Sequence, residues 1–341
     1  MDPFVEGSLN WTALCADDLE QLAELRMAVE YFDDPVDRMG LDELWEYFEA
    51  PGADPAADAV VGRDRAGTIV AYGWNHPRGV DVGEPQLWLD GAVHPAWRHK
   101  GLGLSTVTWQ VARAREWLEE QYLRDSRIDR VLLTRYVEEK AVTQARTMVR
   151  SGFTPRRWYF DMHLSFETQD GSPWTLPAMP PLHDVQLQPY HPELSEQVRA
   201  AHNEAFAETP GVHAVSQAVW EHQMQRGAAR PQWSWVATHQ GEVVGYAMNC
   251  ANVQEWEAQG IREGWTDRLG VRPAWRGRCL GHALLVASMK SFLEAGLQGA
   301  GLGVDTQDPA GAVELFTSIG YDSEETVVLY GRELRVDDDS E

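Results

Sequence analysis

Apolar and polar positions alternate along the chain in two successive sets that follow the same order. Residues 16–32 (ADDLEQLAELRMAVEYF) carry helical spacing and 42–49 predict a second, shorter helix. A strand pair with a turn follows over 59–75 (AVVGRDRAGTIVAYGWN), then a strand over 87–93 (LWLDGAV), a long amphipathic helix over 104–123, a strand at 130–135 and a helix over 141–153 that stops at Gly152. The second set repeats this order: a helix over 192–207, a strand pair over 233–249 and a strand within 262–272. A helix over 282–296, a strand over 301–306 and a helix over 311–321 complete it. Between the sets, ETQDGSPWTLPAMPPLHD is rich in proline and polar residues and reads as a linker. The pattern predicts an α/β protein of two related domains, 1–168 and 184–341, joined by a linker over 169–183.

The repetition is sharpest at two short segments. GAVHPAWRHKGLG (91–103) and LGVRPAWRGRCLG (269–281) each run from an apolar strand through Pro-Ala-Trp-Arg into a basic, glycine-containing loop that opens a helix. Backbone N–H groups at such a helix start hold an anion when small residues let it approach and cations flank it. This predicts a phosphorylated cofactor on Arg98, His99, Lys100, Gly101, Leu102, Gly103 and Leu104, and on Arg276, Gly277, Arg278, Cys279, Leu280, Gly281 and His282.

The net charge of −24 makes these basic loops stand out. It argues against nucleic acid as a partner, because phosphate-backbone binding draws on clustered Lys and Arg, and it favours attraction of a cationic small molecule. No apolar run reaches the roughly 18 residues of a membrane span, and MDPFVEGSLNW lacks the layout of a signal peptide. A cytoplasmic setting is expected. Cys15, Cys250 and Cys279 form neither a disulfide framework nor a zinc motif, and His202, His213 and His222 lack metal-ligand spacing, so no metal is expected. Trp97 and Trp275 hold matching places, as one repeated structural contact would.

On these features the chain resembles the GNAT acyltransferase superfamily, and in particular its tandem, mycothiol-synthase-like members. The family's loop, Arg/Gln-x-x-Gly-x-Gly/Ala, is met in full by Arg98, Gly101 and Gly103; Arg276 and Gly281 match in the second copy, with Cys279 in place of the first glycine. VDTQDPAGAVELFTSIGY echoes the family's later strand, Ala-containing helix and Gly-aromatic ending. The resemblance implies two tandem GNAT folds, each a mixed, largely antiparallel sheet flanked by helices with a splayed central strand pair. It implies transfer of an acetyl group from acetyl-CoA to a small-molecule amine. The strand before the loop, Leu269, Gly270 and Val271 or Gly91, Ala92 and Val93, would meet the pantetheine arm, and Asp308 stands where the family has Asn.

The resemblance also marks departures. Phe316 replaces the Tyr that usually returns a proton to the thiolate, leaving Tyr321 and Tyr330 as alternatives, and the first domain's helix offers only Lys140 and Met148. The second domain is therefore expected to be catalytic and the first to hold cofactor without turnover. Asp267 and Glu263 are the candidate general bases. Strict alternation would put Asp267 and Leu269 on the face of Val271 unless a bulge intervenes, and Asp267 could instead pair with Arg268 or Arg262. The alternatives are a mycothiol-synthase-like acetyltransferase and a non-catalytic acyl-CoA-binding or regulatory protein.

Overall fold

The computed structural model describes residues 9–35, 38–79, 85–167, 174–209, 214–253, 256, 260–307 and 311–337. In chain order the first set comprises β1 (Asn10–Ala13), α1 (Leu19–Asp33), α2 (Leu41–Phe48), α3 (Pro55–Asp58), β2 (Ala59–Arg63), β3 (Ile69–Arg78), β4 (Gln86–Val93), α4 (Leu102–Arg124), β5 (Arg130–Glu138), α5 (Val142–Arg150) and β6 (Thr154–Ser165). The second comprises β7 (Gln186–Pro189), α6 (Ser195–Ala205), α7 (Gln217–Met224), β8 (Trp235–His239), β9 (Glu242–Cys250), β10 (Glu263–Val271), α8 (Leu280–Glu294), β11 (Gly299–Asp305), α9 (Ala312–Ile319) and β12 (Asp322–Arg335).

Two compact units result, and each borrows a strand from the other half of the sequence. Unit 1 is Met1–Arg157 with Val327–Glu341; unit 2 is Trp158–Thr326. In unit 1 the strands run in the order β1-β2-β3-β4-β5-β12, and in unit 2 in the order β7-β8-β9-β10-β11-β6. β12 pairs antiparallel with β5, and β6 pairs antiparallel with β11. One pair in each unit is parallel, β4 with β5 and β10 with β11, and a crossover helix, α4 or α8, joins it, as parallel neighbours require.

Helix α4 packs Val107, Val111, Ala114 and Leu118 at helical spacing against Leu87, Leu89 and Leu133 of the sheet. Each such buried Val or Leu contributes about 1.5–3 kcal/mol. Helices α1 and α2 cover the opposite face over Val61, Tyr72 and Trp74. In unit 2, α8 is apolar almost throughout and is buried with Leu302, Val304 and Phe316 on one side of the sheet. Helices α6 and α7 cover the other side through Val198 and Trp220, against Val236, Val243 and Tyr246. Among the described residues no helix is long and apolar enough to cross a membrane.

Candidate active site

The two loops form the same cradle with glycine in different places. In unit 1, His99 (φ 62°) and Gly101 (φ 84°) are left-handed; in unit 2 the matching residues are Gly277 (φ 74°) and Cys279 (φ 57°). The backbone therefore keeps one shape while the sequence trades which position has no Cβ. The first helical bonds run from the Ser105 N–H to Gly101 O and from the Ala283 N–H to Cys279 O, each 3.0 Å. The N–H groups of Leu102, Gly103 and Leu104, and of Leu280, Gly281 and His282, thus lie before the first intrahelical bond and are available to an anion. His282 Nε2 is also buried without a hydrogen-bond partner among the described residues. These donors fit a pyrophosphate.

The loop arginines hold the cradle together rather than flank it. Arg98 clamps Asp33 at the end of α1 with bonds of 2.6 and 2.7 Å and donates from Nε to Val93 O at 3.1 Å. Arg276 donates to Ala205 O at the end of α6 and to Val271 O. Lys100 and Arg278 are exposed, and each stacks on the preceding tryptophan: 4.4 Å to the Trp97 ring and 4.5 Å to the Trp275 ring.

Beside each cradle the parallel strand pair separates. The β4/β5 ladder ends at Trp88↔Thr134 and the β10/β11 ladder at Thr266↔Leu302. The next residue on the outer strand differs. In unit 1 it is Arg135, whose Nη2 donates 2.6 Å to Gly91 O across the gap. Around it, Arg26 Nη1 donates to Asp90 Oδ2 at 2.9 Å and to the Tyr72 hydroxyl, which itself donates to Asp90 at 2.8 Å. Burial pushes Asp90 up, but Arg26, His76 and Arg135 outweigh it and hold the carboxyl below its ordinary range. In unit 2 the matching residue is Gly303, which is exposed. A Cβ there would meet only Asp161 Oδ1 at 3.4 Å and the Trp265 ring at 3.9 Å.

Residues 231–323 match the acetyltransferase (GNAT) domain family. The chain therefore contains a GNAT acetyltransferase domain, spanning β8 to α9. It is 27% identical over 288 residues to a mycothiol acetyltransferase of Thermobifida fusca (strain YX), covering 81% of each chain. A mycothiol acetyltransferase of Saccharomonospora viridis is 27% identical over 281 residues, 80% of this chain and 82% of that one. Among solved structures, a GCN5-related N-acetyltransferase from Sphaerobacter thermophilus superposes with a TM-score of 0.68 at 24% identity over 96% of both chains. A tandem GNAT protein from the clavulanic acid biosynthesis pathway superposes with a TM-score of 0.65 at 17% identity over 95% of this chain and 98% of that one. The fold is that of tandem GNAT proteins, and the chain is an acetyltransferase.

Simple alternation along β10 fails at one residue. The ladder with β9 shifts between Thr266 and Arg268, so Asp267 is the extra residue of a β-bulge. Gly264 faces Phe292 of α8, and Leu269 reaches toward Gly281 at the start of α8. Asp267 and Arg268 both point the other way, toward α7: Asp267 lies 3.4 Å from Arg226, and Arg268 stacks 5.1 Å over Trp220 and donates to Gln223. The expectation that Asp267 shares a face with Leu269 and Val271 is thus corrected. The alternative pairing with Arg268 is present at 3.5 Å. Asp267 is thus held between two guanidiniums.

Glu263 is buried, its side chain 8% exposed, and sits 2.9 Å from His163 Nδ1. Phe316 of α9 lies in the core, with Tyr321 beside it; burial drives the Tyr321 phenol far above its ordinary range, so it is a poor acid at neutral pH. Tyr330 belongs to the part of β12 that unit 1 takes, opposite Arg135. Met148 is core in unit 1. Asp308 and His213 fall outside the described residues. His202 is buried, its Nδ1 2.6 Å from the Tyr246 hydroxyl; burial, then Arg268, lower its pKa to about 4.

Sequence reasoning missed two participants. Arg135 was read only as part of a strand, and His163 lies on a strand that the pattern did not predict. For His163 the signal was the alternation of Phe160, Met162 and Leu164 with Asp161, His163 and Ser165; for Arg135 it was a cation inside a β-forming run.

Proposed function

We propose that the chain transfers the acetyl group of acetyl-CoA to a primary amine of a small molecule, and that unit 2 performs the chemistry. One contrast carries this reading: the gap beside the unit 2 cradle ends on Gly303, whereas the gap of unit 1 is bridged by Arg135 bonded to Gly91 O. A pantetheine arm needs the backbone polar groups of the inner strand. In unit 2 those of Leu269, Gly270 and Val271 border the open gap, while in unit 1 the corresponding carbonyl is already spent.

On this reading the N–H groups of Leu280, Gly281 and His282 hold the pyrophosphate, and the thioester lies against Gly270. The amine enters from the side of the sheet that carries Asp267. The chain's net charge of −24 suits a cationic acceptor, and a cytoplasmic setting suits the donor. An acceptor related to mycothiol is a second reading, favoured by the name and the coverage of the relatives from Thermobifida fusca and Saccharomonospora viridis. Unit 1 keeps the cradle, and its role is to bind through the loop without turnover.

The experiment is release of free thiol from acetyl-CoA in the presence of glucosamine, S-methylcysteine amide or putrescine. Saturable, amine-dependent release is expected with at least one. Binding of acetyl-CoA without release in any mixture would make the protein a binder instead of an enzyme for such amines.

A further inference from the structure

The strand that unit 2 borrows from the first half of the sequence brings an ionisable pair to the reactive end of its sheet. On β6, His163 lies opposite Gly301, and on β10 Trp265 lies opposite the same glycine. This is one rung before the parallel ladder ends at Thr266↔Leu302. His163 Nδ1 sits 2.9 and 3.1 Å from the two oxygens of Glu263, and its ring meets Trp265 edge-on at 5.8 Å. Side-chain exposure is 16% for His163 and 8% for Glu263, so the histidine is the more open partner.

The surrounding sequence makes room for this pair. Gly299, Gly301 and Gly303 line one face of β11, and a Cβ on Gly301 would lie 2.4 Å from the Trp265 ring and 2.7 Å from Glu263 Oε1. The face is the one on which Asp267 and Arg268 emerge, opposite α8. Asp161 of β6 and, by alternation, Asp305 of β11 share this face with Glu263, the group bonded to the histidine; Asp267 emerges on it further along β10, with Arg226 and Arg268 on the α7 side. A buried carboxylate bonded to one imidazole nitrogen fixes the tautomer. Nδ1 becomes the donor to Glu263 and Nε2 the basic nitrogen.

We propose that His163, oriented by Glu263, takes the proton of the acceptor amine. This rests on the reading of unit 2 as the acetyl-transferring unit. The amine nitrogen attacks the acetyl carbonyl carbon, forming the C–N bond while the carbonyl electron pair moves to oxygen. His163 Nε2 removes the proton that the nitrogen can no longer hold. The tetrahedral carbon then expels the thiolate by breaking the C–S bond, and the imidazolium returns its proton, through water, to the thiolate. Glu263 is a positioning residue whose negative charge stabilises the imidazolium, and Asp267, between its arginines, is not the base.

The test follows kcat against pH with the amine among glucosamine, S-methylcysteine amide and putrescine that the wild type turns over. His163→Gln should lower kcat about 100-fold or more, the usual cost of losing a general base, with KM for acetyl-CoA changed less than twofold. Imidazole added to His163→Ala should restore part of the rate. Glu263→Gln should move the acidic limb of the kcat profile down by about one pH unit, because the histidine loses the neighbouring charge that favours its protonated form. Retention of the wild-type profile by either an acetyl-CoA-binding His163→Gln or Glu263→Gln overturns the proposal. If His163→Gln fails to bind acetyl-CoA, the limb of Glu263→Gln decides alone. Absence of turnover by the wild type with all three amines would instead remove the acetyl transfer on which the proposal rests.

Discussion

Replacing Cys279 by glycine should stabilise unit 2 without touching its chemistry. Cys279 caps α8 at φ 57° and ψ 18°, makes no side-chain capping bond and is exposed. A left-handed conformation costs a residue with a Cβ about 1–2 kcal/mol. Glycine removes that cost but gives back about 0.5–1 kcal/mol through its larger freedom in the unfolded chain. The net gain is about 0–1.5 kcal/mol, and in a unit the size of Trp158–Thr326 this corresponds to a rise in Tm of up to about 6 °C. The converse change is Gly277→Ala: φ is 74° and nothing lies within 4 Å of the added Cβ, so its cost is purely conformational and its Tm should fall by a similar amount. Thermal unfolding followed by circular dichroism measures both, and KM for acetyl-CoA should stay within twofold for Cys279→Gly. A Tm for Cys279→Gly below that of the wild type would refute the reasoning, since the thiol would then be making a stabilising contact.

Two further outcomes concern Gly270 of β10 and His202 of α6. Gly270→Ala would bring a Cβ within 2.4 Å of the Tyr246 hydroxyl, which His202 holds in place, so urea unfolding should reveal a loss of about 1–3 kcal/mol; an unchanged midpoint would mean that Tyr246 yields freely. Burial, then Arg268, depress His202 to about 4, so the native histidine resists a proton that the unfolded one accepts below its ordinary 6.5. Its contribution is complete above that value and is lost as pH falls toward 4, about 3 kcal/mol across the window, and His202→Gln should flatten the pH dependence of the urea midpoint between those limits.

Much of the architecture was legible because it depends on local pattern. The amphipathic runs that became α1, α4, α6 and α8 and the apolar runs of β2–β5 and β8–β11 lie where periodicity predicts them. β6 and β12 lie outside the predicted elements: Glu325, Arg332 and Glu333 interrupt the apolar run of β12, and β6 opens on Thr154, Pro155, Arg156 and Arg157, although Phe160, Met162 and Leu164 then alternate strictly with Asp161, His163 and Ser165. Their exchange between units is a long-range pairing that no local window encodes. The cradles were legible as motifs. The roles of Arg98 and Arg276 were not, since a basic residue beside a glycine loop reads as an anion ligand until Asp33 and the carbonyl of Ala205 are seen to claim them. The face of Asp267 turned on a single extra residue in β10, and the filling of the unit 1 gap turned on Arg135 standing where unit 2 has Gly303.

The central claim, that acetyl transfer takes place at the unit 2 cradle, is tested most directly by comparing Gly281→Asp with Gly103→Asp in amine-dependent thiol release. Neither position clashes with backbone: Gly103 has nothing within 4 Å of an added Cβ, and Gly281 has only Leu315 Cδ2 at 3.3 Å and Leu269 Cδ2 at 4.0 Å. An acidic residue in the first turn of a helix is favourable to the fold, so both variants should remain folded while their carboxylates repel the pyrophosphate. The account predicts that Gly281→Asp lowers kcat/KM for acetyl-CoA about 100-fold or more, a loss of about 3 kcal/mol of transition-state stabilisation, while Gly103→Asp stays within about threefold of the wild type. The opposite ranking would move the chemistry to unit 1 and contradict the account.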